Sequence, residues 1–133
     1  MSRPELVLVF PWPDAALSPN TRVHWRKLWQ AKKRARKHSA VLTVEQVGKH
    51  YDMHPPFELA LTFFPPSRRA YDLDNLEYRM KAWIDGMCDA LGINDRDIKR
   101  KVGTMAAYES VKALRGGAVE FILRELQCQP HQT

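Results

Sequence analysis

The 133-residue chain contains only two cysteines, Cys88 and Cys128, and neither belongs to a CxxC pair or a Cys/His cluster. Two isolated thiols exclude a disulfide framework and offer no zinc-type ligand set. Cys88 lies in an apolar helical run, where a buried, inert thiol is expected. Long hydrophobic runs are also missing. The apolar stretch at residues 6–10 follows a single early Arg and is too short for a signal peptide or a membrane span. These absences read as a reduced, cytoplasmic protein. There are no internal repeats and no linker, and the length suits one domain that buries its own core. Acids are the last shortage: 15 Asp and Glu stand against 21 Lys and Arg, a formal charge of +6. A basic balance favours an acidic partner and says nothing about fold.

What is present is a regular alternation of element signals. Residues 5–10 (ELVLVF) form a β-branched and aromatic run ended by Pro11 and Pro13, which predicts a first strand. A loop punctuated by Ser18-Pro19-Asn20 follows. Residues 25–50 carry good helix formers, no Pro and one Gly, Gly48. A break near Ser39 stays open, since residues 41–47 have β-branched character of their own. Residues 57–64 (FELALTFF), set between Pro55-Pro56 and Pro65-Pro66, give the clearest strand signal. A helix is expected from Asn75 to Leu91, stopped by Gly92, then a polar turn over 94–100. Residues 102–110 and 118–126 read as two strands joined around Arg115-Gly116-Gly117, and the tail 127–133 as a frayed end. The order β-α-β-α-β-β predicts one small α+β (mixed α/β) domain over 1–133, with a small mixed sheet and two main helices.

Asp72 and Asp74 lie two apart just after the second strand, and in extended backbone that spacing puts both carboxylates on one side. Asp74 or Asn75 would serve as a helix N-cap, which accounts for one of these residues. It leaves Asp72 unexplained, together with Asp95 and Asp97 beyond the same helix. On a helix projected over 75–91, Leu76, Met80, Trp83, Ile84, Met87 and Leu91 share a side, as core packing requires. With the phase extended back to Asp74, the residues Asp74, Lys81 and Asp85 fall near a common line opposite much of that apolar face. A solvated i,i+4 pair between Lys81 and Asp85 is the plainer account of the lysine. Gathered carboxylates repel unless something neutralises them. Mg²⁺ does so through one or two carboxylates while keeping waters, and such ions activate water and stabilise charge at a phosphodiester. A nearby Lys suits the same chemistry.

The positive charge is concentrated elsewhere. Residues 21–50 hold nine Lys or Arg (Arg22, Arg26, Lys27, Lys32, Lys33, Arg34, Arg36, Lys37, Lys49) and one acid, Glu45. That segment is therefore eight charges positive, and the rest of the chain is slightly acidic. Trp25 and Trp29 sit among these charges at i,i+4, where they could stack on bases or sugars while cations contact phosphate. As a core stripe they would do neither, and Trp29 is expected to face the core. A basic arm beside an acidic pocket is the division of labour that a nuclease needs.

The stretch 68–98 (RRAYDLDNLEYRMKAWIDGMCDALGINDRDI) resembles the RusA family of Holliday-junction resolvases. The likeness is carried by Asp72-Leu73-Asp74-Asn75, then Lys81, Asp85-Gly86-Met87, and Asn94-Asp95 before Ile98, with Ser18-Pro19-Asn20 similar to the family's N-terminal region. It covers about two thirds of the chain. The resemblance implies a homodimer in DNA recombination and repair that cuts branched DNA near the crossover with Mg²⁺ or Mn²⁺. Carried over by position, Asp72, Asp74 and Asp95 would bind metal and Lys81 would be the catalytic lysine. Arg79 competes with Lys81 for that role, and Lys81 is preferred because its helical phase agrees with Asp74. The chain has Asn94-Asp95 where the family often has two acids, so Asp95 is the better ligand and Asp97 the outside candidate. Arg26, Lys27, Lys32, Lys33, Arg36, Arg68 and Arg69 are the expected DNA contacts. Two alternatives remain: a non-catalytic branched-DNA-binding protein with a degenerate acidic site, and a metal-dependent enzyme acting on a nucleotide or RNA.

Overall fold

The computed structural model describes residues 4–20, 22–48, 51–108 and 116–126 of the chain. Cys128 and the tail expected to fray lie outside them, as does Arg115. A four-stranded mixed sheet carries helices on one face, the α+β class that the element order predicts. The strands are β1 (Glu5–Pro11), β2 (Phe57–Phe64), β3 (Ile98–Met105) and β4 (Ala118–Glu125), and the helices α1 (Trp25–Val47), α2 (Leu73–Arg79) and α3 (Lys81–Leu91).

Strand order is β1-β4-β2-β3, with β4 antiparallel to both neighbours and β3 parallel to β2. The two C-terminal strands are thus not partners of one another. β3 also begins at Ile98, within the stretch expected to be a turn. Period-two alternation decides which face is buried. On β2, Phe57, Leu59, Leu61 and Phe63 point inward, in register with Phe121 and Leu123 of β4 and with Leu8 and Phe10 of β1 beyond. The opposite alternation leaves Val7 and Val9 exposed. β1 is an edge strand, and the Gln46 amide covers part of it: Gln46 Oε1 accepts from Val9 N–H and its Nε2 donates to Val9 O, both at 2.7 Å.

Helix α1 runs unbroken through Ser39. His24 Nδ1 accepts from Arg26 N–H at its start, and Gly48, at φ 81°, ends it. Its buried stripe is Ala31, Ala35, Ser39 and Thr43, all small and four apart. Trp29 is therefore not core, contrary to the expectation from sequence: it is 58% exposed and Trp25 is 66% exposed. The bulk of Trp would hold α1 off its neighbour, whereas the small stripe lets α3 approach.

The central helix is two helices. Met80 (φ −84°, ψ −2°) ends α2 and starts α3, its N–H donating to Glu77 O and Tyr78 O. The break at Met80 lies between Asp74 and Lys81, so of the line drawn through Asp74, Lys81 and Asp85 only the Lys81–Asp85 part lies on one helix, where the two side chains bond. The apolar side survives the break, because Leu76, Met80, Trp83, Ile84, Met87 and Leu91 are all buried. Gly92 ends α3 in the left-handed conformation as the sequence predicts.

Contact between α1 and α3 depends on Gly86. A Cβ there would overlap the Arg36 carbonyl oxygen and lie 2.7 Å from Ser39 Cβ. The Ser39 hydroxyl, fully buried, donates to Trp83 O at the same crossing. Alanine is a better helix former than glycine by about 1 kcal/mol, yet here backbone must move to admit a methyl. Gly86→Ala is expected to destabilise the fold by about 1–3 kcal/mol in urea unfolding. Unchanged or increased stability would show that the two helices are not held at this distance.

Candidate active site

Asp72 is itself the N-cap of α2: its Oδ1 accepts from Asp74 N–H at 3.0 Å and from Asn75 N–H at 3.4 Å. The capping role expected of Asp74 or Asn75 thus belongs to their neighbour. The cap uses one carboxylate oxygen and leaves Oδ2 outside it. Asp74 stands exposed in the first turn, and burial, together with the Asp74 charge, raises the Glu77 carboxyl above its ordinary range. Asn75 turns toward the preceding loop, donating to Ser18 Oγ at 2.7 Å and accepting from Arg79 Nε at 2.8 Å. Arg79, the competitor of Lys81, is held in that network and also reaches Pro13 O at 3.5 Å. Burial lowers its guanidinium. The Ser-Pro-Asn loop and the Asp-x-Asp-Asn motif are therefore one structural unit.

Beyond the break, Lys81 Nζ sits between two carboxylates, 2.9 Å from Asp85 Oδ1 and 3.1 Å from Asp95 Oδ2. Asp85 is one turn along α3, and Asp95 starts the 3-10 turn Asp95–Asp97 that Asn94 caps. Both bonds raise the Lys81 ammonium despite partial burial, the one to Asp85 most. The same ammonium holds Asp95 below the usual carboxylate range. One turn further, Asp89 takes Arg36 of α1 in a two-bond fork, Nε to Oδ2 at 2.6 Å and Nη2 to Oδ1 at 2.8 Å. Lys81, Asp85 and Asp89 thus form an i, i+4, i+8 row on one side of α3.

These groups and Asn94 line a cavity of about 390 Å³. Cys88 forms part of its wall as a buried thiol that desolvation pushes up to about 12, inert as expected. Asp89 does not stand out in the sequence, although its spacing of four from Asp85 is a signal that could have found it. The structure brings Asp95 to Lys81, and neither of them bonds to Asp72 or Asp74. Among the described residues, no group of three His, Cys, Asp or Glu side chains converges as a ready-made metal cage. Mg²⁺ needs only one or two carboxylates with waters. By that measure Asp85 and Asp95, already converging on one cation, and Asp72 with its second oxygen outside the cap are hard-oxygen donors that fit it.

The expected DNA contacts divide into two places. Arg26 lies over Trp25 (5.3 Å) and Lys33 over Trp29 (5.0 Å), and Lys27 and Lys32 are exposed on the same helix. Arg36 belongs to the Asp89 fork. Arg68 over Tyr108 (5.6 Å) and Arg69 over Tyr71 (5.1 Å) line a separate cavity at the far end of β2.

If Lys81 is what depresses Asp95, Lys81→Ala should raise the Asp95 midpoint toward the ordinary carboxylate value in an NMR titration. A group with a lowered folded pKa stabilises above its unfolded pKa and loses that contribution as pH falls through the folded value. The variant should accordingly have less acid-range stability to lose. An unmoved Asp95 midpoint would mean that the contact does not persist in solution.

No family model matches the chain. It is similar to an uncharacterized protein of Xylella fastidiosa (strain Temecula1 / ATCC 700964), 41% identical over 91 residues that cover 67% of this chain and 60% of that protein. The chain therefore spans less than two thirds of the length of that relative. Among the described residues, no helix is long and apolar enough to cross a membrane.

Proposed function

We propose that the protein is a metal-dependent, structure-selective endodeoxyribonuclease that resolves four-way DNA junctions as a homodimer, in keeping with its resemblance to the RusA family. The observation that carries this reading is the Lys81 ammonium bridging Asp85 and Asp95 beside the cationic face of α1. The resemblance gives Asp72, Asp74 and Asp95 as ligands of Mg²⁺ or Mn²⁺. Since Asp95 groups with Asp85 at Lys81 and Asp72 caps α2, one or two of these carboxylates with waters would hold the ion, which when bound would supply positive charge for the negative charge that develops at the phosphodiester. The chain's own residues do the rest. Lys81 stabilises charge on the phosphate, and its two carboxylates fix where the ammonium sits. The cations of α1 bind backbone phosphates on either side of the cut. Because resolution needs two coordinated cuts, a twofold pair of such sites suits the substrate.

A second reading is a branched-DNA-binding protein without catalysis. It is favoured by the local occupation of the acids: Asp72 caps α2, Asp85 and Asp95 share Lys81, and Asp89 holds Arg36. Labelled junctions separate the two. With Mg²⁺, wild type should nick paired strands, Asp74→Asn should bind but not nick, and Lys81→Ala should nick about 100-fold more slowly. Binding without scission by wild type, with Mg²⁺ and with Mn²⁺, would leave only the second reading. Linear duplex, single-stranded DNA and RNA in parallel test for a nucleotide- or RNA-directed enzyme.

The α1 cations are tested by salt. Replacing Lys32 and Lys33 with Ala should weaken junction binding and lower the slope of log affinity against log salt by about one unit for each phosphate no longer neutralised. An unchanged slope would assign both lysines to ordinary solvated surface.

A further inference from the structure

A cavity of about 720 Å³ opens between the N-terminal half of α1 and the α2–α3 joint. Its volume is of the order that takes a nucleotide-sized ligand. Its apolar part is supplied by Leu17, Leu61, Ala82 and Ile84. Two large aromatic residues, Trp29 and Tyr78, line it while standing 58% and 50% exposed. Of the four lysines in its wall, Lys81 is bridged by Asp85 and Asp95, whereas Lys32 and Lys33 from α1 and Lys101 from β3 make no ion pair among the described residues, Lys33 lying over the Trp29 ring. Besides Asp85, Glu77 is the other acid of the lining. An apolar floor, exposed aromatic rings and lysines at the mouth complement a flat base joined to a phosphate.

We infer that this cavity receives one unpaired nucleotide of DNA, its base stacked against Trp29 and its phosphate among Lys32, Lys33 and Lys101. The inference rests on the nuclease reading for its substrate and adds the means of selection. A base inside a duplex cannot enter a concave site without leaving the stack, and unstacking costs least where the base is already unpaired. Ordinary duplex would engage only the outer cations, whereas branch points and bulges present bases that can enter. Lys81 and Asp85 line both this cavity and the smaller acidic one. A nucleotide held here therefore places its neighbouring phosphate beside Lys81, which links recognition of an unpaired base to the position of the cut.

The cavity is present because β3 is an edge strand whose helix-facing side is only partly covered. Lys101 and Gly103 are in register with Leu59 and Leu61, on the core side of the sheet. Above Gly103 lies the edge of α2, whose Glu77 side chain occupies the space where a Cβ would be. The sheet thus contributes a floor that α1 and α3 do not close over.

The test uses the full chain and fluorescein-labelled DNA in EDTA, followed by anisotropy. A duplex with a single bulged nucleotide, the same duplex with an abasic bulge, and a perfect duplex are compared. Wild type should prefer the bulged base to both others by about tenfold. Trp29→Ala should abolish that preference while keeping the weaker duplex binding, and Trp29→Phe should restore most of it, which separates stacking from misfolding. Equal wild-type affinity for all three duplexes, or a preference unaffected by Trp29→Ala, would overturn the inference. The same preparations are assayed on junctions with Mg²⁺. Nicking without any bulge preference removes this inference alone, whereas failure to bind any DNA removes the nuclease reading with it.

Discussion

The close crossing of α1 and α3 at Gly86 sets where the charged groups of the candidate site meet. Without a side chain at that residue, the Arg36 carbonyl and Ser39 can lie against the α3 backbone, and the buried Ser39 hydroxyl bonds to Trp83 O. A buried hydroxyl left unpaired would cost about 1–3 kcal/mol, so this bond fixes one helix against the other as well as satisfying its donor. The consequence is electrostatic. Arg36, on the basic helix, comes within bonding distance of Asp89 on the acidic row, and the fork at Asp89 stands one turn from the Lys81 bridge. Packing of small residues thus governs the placement of opposite charges.

The second constraint is the break at Met80. A continuous helix from Asp72 to Leu91 would carry the motif acids and Lys81 on one rigid axis. Ending α2 at Met80 lets each segment obey a different partner: α2 answers to the loop through Asn75, Ser18 and Arg79, and α3 answers to α1 through Gly86. Met80 itself is fully buried and serves both segments' apolar sides. The ammonium of Lys81, the first residue after the break, then faces Asp85 and the 3-10 turn where Asp95 lies.

Local signals in the sequence are strong wherever the partner of a residue is close in the chain. The flanking prolines of β2, the stop at Gly92, the inert Cys88 and the apolar side of the central helix all match the structure, since each follows from period or from a nearby breaker. What the sequence misplaces depends on distant surfaces. Aromatic bulk is usually buried, which argues for Trp29 in the core, but the stripe of Ala31, Ala35, Ser39 and Thr43 has the prior claim on the face opposite α3. Strand β3 starts in a charged stretch because it pairs with β2 in parallel, at the edge, where alternation need not be apolar. The cap falls to Asp72 because α2 already begins at Leu73, ahead of Asn75. Of the candidate site, Lys81, Asp85 and Asp95 form one contact group. Asp89 shows in the sequence only as a spacing of four from Asp85, and its partner Arg36 is brought to it by another helix.

For the DNA substrate we propose, a carboxylate-rich site poses an elementary difficulty, because phosphates approach like charges. The row and its neighbour carry three acids, Asp85, Asp89 and Asp95, and two cations, Lys81 and Arg36, all within hydrogen-bond reach. Their sum is one negative charge, far less repulsive than three bare carboxylates. Beyond the residues the two cavities share, the larger one adds Lys32, Lys33, Lys101 and Arg79 against one acid, Glu77, so its lining is positive overall. Under that proposal a phosphate would approach Lys81 past these lysines, while Arg36 and Lys81 hold Asp89 and Asp95 below the usual carboxylate range. Charge neutralisation inside the fold and charge surplus beside it would make an acidic centre compatible with the polyanionic substrate proposed, and the neutralisation follows from setting α1 against α3 at one glycine.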